Sequence, residues 1–214
     1  MVATDFDWIK FGLAVLGSSV ISALINTGWN VYSKRQDKKE KDNKDLEERE
    51  HELLMALAWV DNLSISFYES MLSINEYIND MHNMPNGYDP KHAPNIEEPK
   101  EVNLKLLPIG FRTEILLIGQ NFKYSSDFIY AAFEYWAEVE ECYVFELQRI
   151  AFYGVQISKF SDRFRGAIYK KSEKLNDAHE YFFSEKEKYL KRCLKFQNVT
   201  FLPEIEREAK GNKG

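Results

Sequence analysis

Few residues in this chain have the type and spacing to do chemistry. Glu48-x-x-His51 is its single ExxH, the spacing with which carboxylate-bridged metal sites in helical bundles place two ligands on one helix face. Such a site needs matching ligands on other helices, and none is spaced for it. The run Glu134, Glu138, Glu140, Glu141 and Glu146 carries enough charge for a cation, but it reads as the polar flank of an amphipathic helix. Lys186, Lys188, Lys191, Arg192 and Lys195, interleaved with Tyr189 and Phe196, have the make-up of a nucleic-acid patch.

The wider charge pattern argues against that patch. Residues 159–197 hold 11 cations and 6 anions, net +5, whereas residues 126–148 hold 6 anions and no cation. Two neighbouring helices of opposite sign complement each other without an outside partner, and a whole-chain net charge of −6 is not that of a general nucleic-acid binder. Nucleic acid is therefore not an expected partner.

Nucleophilic chemistry has no better start. Cys142 and Cys193 lie far apart without a CxxC pair, and none of the four histidines (His51, His82, His92, His179) sits beside a serine or cysteine that it would activate. No GxGxxG, P-loop, HExxH or GxSxG occurs. The sequence reads as that of a non-enzyme, with no catalytic residue, metal ligand or cofactor.

The elements that must carry any site are helical, and the fold class expected is all-α. Between Lys10 and Lys34 lie 23 uncharged residues, 11–33, long enough for a membrane crossing. Residues 1–10 then form a short outer tail. Lys34, Arg35, Lys38, Lys39, Lys41 and Lys44 follow the run, against Lys10 before it. By the positive-inside bias, a single-pass protein of the plasma (bacterial inner) membrane is expected, its N-terminus outside and its C-terminus in the cytoplasm. Gly12, Ser19, Ser22, Asn26 and Asn30 fall on one face of this helix. A small, polar face of that kind serves as a homo-oligomer seam or, more sharply, lines a pore.

Residues 34–52 read as a charged helical stalk, with Asp37/Lys41, Glu40/Lys44 and Asp45/Arg49 at i,i+4. Residues 53–202 read as a cytosolic antiparallel helical bundle. Its first helix is signalled by Leu53, Leu57, Val60, Ser64, Phe67, Met71, Ile74, Ile78 and Met81 at steps of three and four. Pro85, Pro90, Pro94, Pro99 and Pro108, with Asn86-Gly87, forbid helix over much of 83–108 and predict a long loop, read as disordered or plain connection.

A short helix from Ile109 to Gln120 and a break between Gly119 and a cap at Ser125 or Ser126 come next. A long helix through Ile129, Phe133, Trp136, Tyr143, Leu147, Ile150 and Ile157 follows, and the last helix runs from Phe164 to Phe196. Residues 203–214 read as a frayed polar tail. The layout is similar to that of many small bacterial and phage-associated membrane proteins, a likeness of architecture that transfers no residue.

The leading functional expectation is a membrane-tethered interaction or scaffold protein. It self-associates through its transmembrane helix and contacts an unidentified protein partner with its helical domain. The alternative is a membrane-perturbing, holin-like or toxin-like pore former. A periplasmic coiled coil would need the opposite orientation.

Overall fold

The computed structural model describes residues 8–80, 88–89, 94–169, 176–196 and 199–211, with the side chains of the first helix described from Asn26 onward, Gly28 excepted. Among these residues there are five helices and no strand, as the all-α expectation requires: α1 (Trp8–Asn79), α2 (Ile109–Tyr135), α3 (Val139–Tyr169), α4 (Asn176–Lys195) and α5 (Pro203–Gly211). The chain divides into two units, Met1–Glu48 and Arg49–Gly214, and α1 contributes to both.

From Lys34 to Glu48 α1 is polar nearly all round. From Arg35 to Glu48 every side chain is exposed, which fits a run of alternating charges stabilised by solvent and i,i+4 spacing rather than by packing. Tyr32 accepts a hydrogen bond from Gln36 at 2.8 Å.

The membrane-spanning expectation is overturned: among the described residues no helix is long and apolar enough to cross a membrane. The glycines, serines, asparagines and threonine between Gly12 and Ser33 dilute its apolar residues, each of which favours insertion by only about 0.3–0.6 kcal/mol. With the span go the membrane location and the orientation assigned to it. Of the face once assigned to self-association, Asn26 and Asn30 are exposed, while the side chains of Gly12, Ser19 and Ser22 lie outside the described residues.

The second unit is a bundle built around α3. From Cys142 to Phe160 α3 is buried on nearly every side, only Lys159 being exposed, because apolar residues there occur in runs (Cys142–Phe145, Ile150–Val155) rather than on one stripe. The periodic residues of α1, including Val60, Phe67, Met71 and Ile74, are buried in the bundle, Phe67 lying 5.0 Å from the Phe122 ring of α2.

Pairings fix the directions. Asp61 meets Ser161 and Arg165 while Tyr77 meets Tyr143, so α1 and α3 are antiparallel. Phe111 stacks on Phe164 at 4.2 Å and Phe128 meets Phe145 at 5.8 Å, so α2 and α3 are antiparallel too. It follows that α1 and α2 run the same way.

That topology explains the proline-rich segment 80–108. Parallel neighbours need a connection that returns along the bundle, and the described part of this one is packed. The Tyr88 hydroxyl reaches Glu146 on α3, Asn103 N–H donates to Glu52 at 2.6 Å, and Val102 and Leu107 are buried. Sequence predicts the loop but not its docking.

Helix ends differ from expectation as well. The break expected between Gly119 and Ser126 lies at Trp136–Glu138. There Trp136 leaves the helix at φ −160° and ψ −18°, Ala137 N–H still reaches the Ala132 carbonyl at 2.7 Å, and the Glu141 carboxylate accepts from Glu138 N–H at 3.0 Å. Ser125 is mid-helix and donates to the Phe122 carbonyl at 2.8 Å.

The segment read as one last helix is α4 preceded by the end of α3. The tail read as frayed is α5, with Ile205 and Ala209 buried. α3 and α4 approach closely where a Cβ on Gly154 would lie 2.6 Å from Phe182 Cγ.

Candidate functional site

The chemistry-bearing residues of the sequence are scattered rather than convergent. Glu48 and His51 are exposed on α1, and among the described residues no cluster of three or more His, Cys, Asp or Glu side chains is placed to hold a metal ion. Glu134, Glu138, Glu140 and Glu141 are exposed, and Glu146 turns inward. Two of the basic residues of α4, Lys186 and Lys188, pair within the chain. Lys186 is buried and reaches Glu208 of α5 at 2.6 Å, Lys188 pairs with Glu185 at 2.5 Å, and Arg192 lines a cleft shared with Glu140 and Glu141. Among the described residues the ion pair that joins α4 to another helix goes to α5, which the sequence reading lacked. Cys142 is fully buried, and burial first, then the nearby Glu141, pushes its thiol up to about 11, far from a reactive thiolate.

Two polar networks sit inside the bundle. In the first, Arg149 pairs with Glu146 one turn away at 2.6 Å, donates to the Phe122 carbonyl at 3.3 Å, and lies 4.1 Å from the centre of the Phe122 ring. Both charged side chains are at most 2% exposed. Glu146 also accepts from Tyr88, and Asp89 N–H donates to Tyr143 at 3.2 Å. The network therefore ties α2, α3 and the returning loop together. Burial raises the Glu146 carboxyl above its usual range against the pull of Arg149, and burial likewise raises the Tyr88 hydroxyl, which keeps it a donor. Alongside, Leu202 N–H donates to Gln148 at 2.8 Å and Tyr153 to Glu204 at 3.2 Å, seating the start of α5.

The second network joins α1, α3 and α4. Ser161 donates to Asp61 at 2.8 Å and Arg165 pairs with the same carboxylate. His179 of α4 is buried beside them, its imidazole felt by Asp162, Asp61 and Arg165. Burial lowers the His179 pKa from its ordinary value of 6.5, with Asp162 and Asp61 opposing and Arg165 assisting.

An unfolded chain takes up a proton here at a pH where the folded chain resists it. The contribution of His179 is therefore complete above about pH 6.5 and is lost as pH falls through and below that value, at no more than about 1.4 kcal/mol per pH unit. Urea unfolding from pH 7.5 to 5 is expected to show a steeper loss of stability in the native chain than in H179Q. Equal slopes would dissociate His179 from acid sensitivity.

Both networks hold helices together; the Arg149–Glu146 pair is interior, whereas Asp61 and Arg165 remain partly exposed. The surface offers clefts, one of which, beside the loop, is a space of about 320 Å³ under Trp59, bounded by Met55, Asn62, Glu98 and Glu101. Its polar rim is solvated, and Glu97 there is already paired with Lys100 at 3.3 Å.

The outer face of α2 is different. Leu116, Leu117, Tyr124, Tyr130, Tyr135 and the following Trp136 are all exposed, Tyr124 at 60% and Tyr135 at 81%. At 100° per residue the five helical ones lie within a sector of about 140°. The opposite side of the same helix, through Ile115, Ile118, Phe122, Ile129 and Ala132, is buried on the bundle. α2 thus carries large apolar and aromatic side chains on its uncovered side too, interleaved with the exposed Gln120, Lys123, Asp127 and Glu134.

This face was not among the residues singled out from the sequence. The crowding of aromatics in the region was visible, but the uncovered side is defined only by which side α3 takes.

No family model matches the sequence, and neither a curated protein nor a solved structure matches the chain.

Proposed function

We propose that this chain is a protein-interaction module whose docking surface is the outer face of α2. The observation that carries the reading is the row of large apolar side chains left in water on a helix whose other side is fully packed. Single exposed apolar residues are ordinary, but a contiguous patch of several hundred Å² is a mark of a docking surface. Tyrosine, tryptophan and leucine in one row also supply the rigid, large-area anchors on which interfaces depend. The two networks add support from the other direction, since their polar groups are spent on holding the bundle rather than presented to a substrate. The membrane tether and the self-association through residues 11–33 form no part of this reading.

Site-specific photocrosslinking tests it. A benzophenone side chain at Tyr124 is expected to yield, in cells, a crosslinked peptide from one defined protein, identified by mass spectrometry, whereas the same group at exposed Glu187 on α4 yields none. Equal, diffuse labelling at both positions would defeat the reading.

A further inference from the structure

We infer that the occupant of the α2 face is a second copy of the chain, paired antiparallel through α2 about a two-fold axis near Ser125. This deepens the docking surface just proposed and rests on it.

The pattern on the face is self-complementary. Between Leu116 and Trp136 the only charged residues are Lys123, Asp127 and Glu134. Glu134 is engaged by the hydroxyl of Tyr130 one turn away. Lys123 and Asp127 are exposed, and among the described residues neither takes part in an ion pair.

Two parallel α2 helices would set Lys123 against Lys123 and Asp127 against Asp127. Antiparallel about Ser125, each Lys123 is level with the second copy's Asp127, giving two equivalent ion pairs on either side of the axis. Opposed charges set the orientation and register of such an interface more than its affinity, and a two-fold interface must present a patch that complements itself.

The apolar residues obey the same symmetry. In that register Gln120 is level with the second copy's Tyr130. Leu116 and Leu117 lie within a turn of the second copy's Tyr135 and Trp136, and Tyr124 lies beside the axis. Each half of the helix brings one kind of anchor, leucine toward the N-terminus and aromatic toward the C-terminus, and the rotation brings the two kinds together.

The exposed area of these six side chains is on the order of 700 Å² per copy, near the roughly 800 Å² per partner of a standard stable interface. The macrodipoles of antiparallel helices also oppose each other favourably.

Sedimentation equilibrium of the full chain at micromolar concentration, with far-UV circular dichroism as the check on folding, decides the matter. The native chain is expected to be a dimer. K123D and D127K, each placing like charges level across the axis, are expected to weaken it by about tenfold or more while leaving helicity unchanged. The exchanged pair K123D/D127K is expected to restore the native association.

A native chain that stays monomeric overturns the inference, as does a dimer indifferent to either single change or an exchanged pair that remains weak. A monomeric chain whose Tyr124 still crosslinks to one defined foreign protein would defeat the self-pairing and leave the docking surface standing.

Discussion

Replacing Arg149 with Met is expected to destabilise the protein by about 3–5 kcal/mol at neutral pH, because Glu146 is left as an uncompensated charge in the interior. Glu146 is 1% exposed, and with Arg149 gone its remaining named partner is the Tyr88 hydroxyl. The sign of the pH dependence tests the cause. Burial already raises the Glu146 carboxyl, and losing the guanidinium raises it further. Any stability tied to its protonation is fully present below the unfolded value of 4.5 and is lost as pH rises through the folded one. The deficit of R149M should therefore shrink as pH is lowered from 7 toward 4.5.

The double variant E146L/R149M removes both charges. It is expected to lie far closer to the native chain than R149M alone, since a buried ion pair exchanged for apolar side chains of similar volume is often neutral or better. Urea unfolding of the native, single and double forms reads this directly. A double variant as unstable as the single would show that the charges, rather than their pairing, hold the loop and α2 in place.

The second large effect lies where α3 and α4 touch. Phe182 is fully buried, and F182A is expected to cost about 3–5 kcal/mol through lost burial and the cavity left behind. G154A acts from the other side. A methyl group there would stand 2.6–2.8 Å from three atoms of the Phe182 ring, forcing the helices apart at a cost of about 1–3 kcal/mol. The gain of about 1 kcal/mol in helix propensity offsets part of it.

The two changes share one space, so their effects should not add. With the ring removed the methyl has room, and G154A/F182A is expected to be no less stable than F182A, within about 0.5 kcal/mol. Thermal unfolding of the four forms checks it; strict additivity would mean that the close approach is not what makes Gly154 matter.

Much of the fold was legible where one physical effect dominates. The three-four spacing from Leu53 to Ile78 places one side of α1 on the core, and the prolines of 83–108 forbid helix there. It failed where tertiary packing outweighs local preference. Gly119 looks like a break, yet it sits inside α2 with Ile96 3.6 Å from where its Cβ would be. The real break at Trp136 contains neither Gly nor Pro.

Pro203 opens the stretch that reads as a frayed tail, yet Pro is at home in the first turn of a helix, here with Glu204 and Glu206 beside it. Leu202, Ile205 and Ala209 already carried the spacing of a short amphipathic helix. Glu146 was counted with its acidic neighbours as a solvated flank, and the sequence gives no reason to separate it from them. Its burial comes from α3 being surrounded, which is also why the docking face of α2 stayed hidden among equally apolar positions.

The enclosure of α3 has a consequence for the order in which the chain is made. A helix buried on nearly all sides has no water-facing orientation to rest in, and α5 and the residues just before it, Phe201 and Leu202, cover part of it. On the ribosome, at roughly 5–20 residues per second, α3 emerges several seconds before that cover exists. During that interval the nascent chain presents a sticky surface, of the kind that holdase chaperones shield, until the last short helix closes over it.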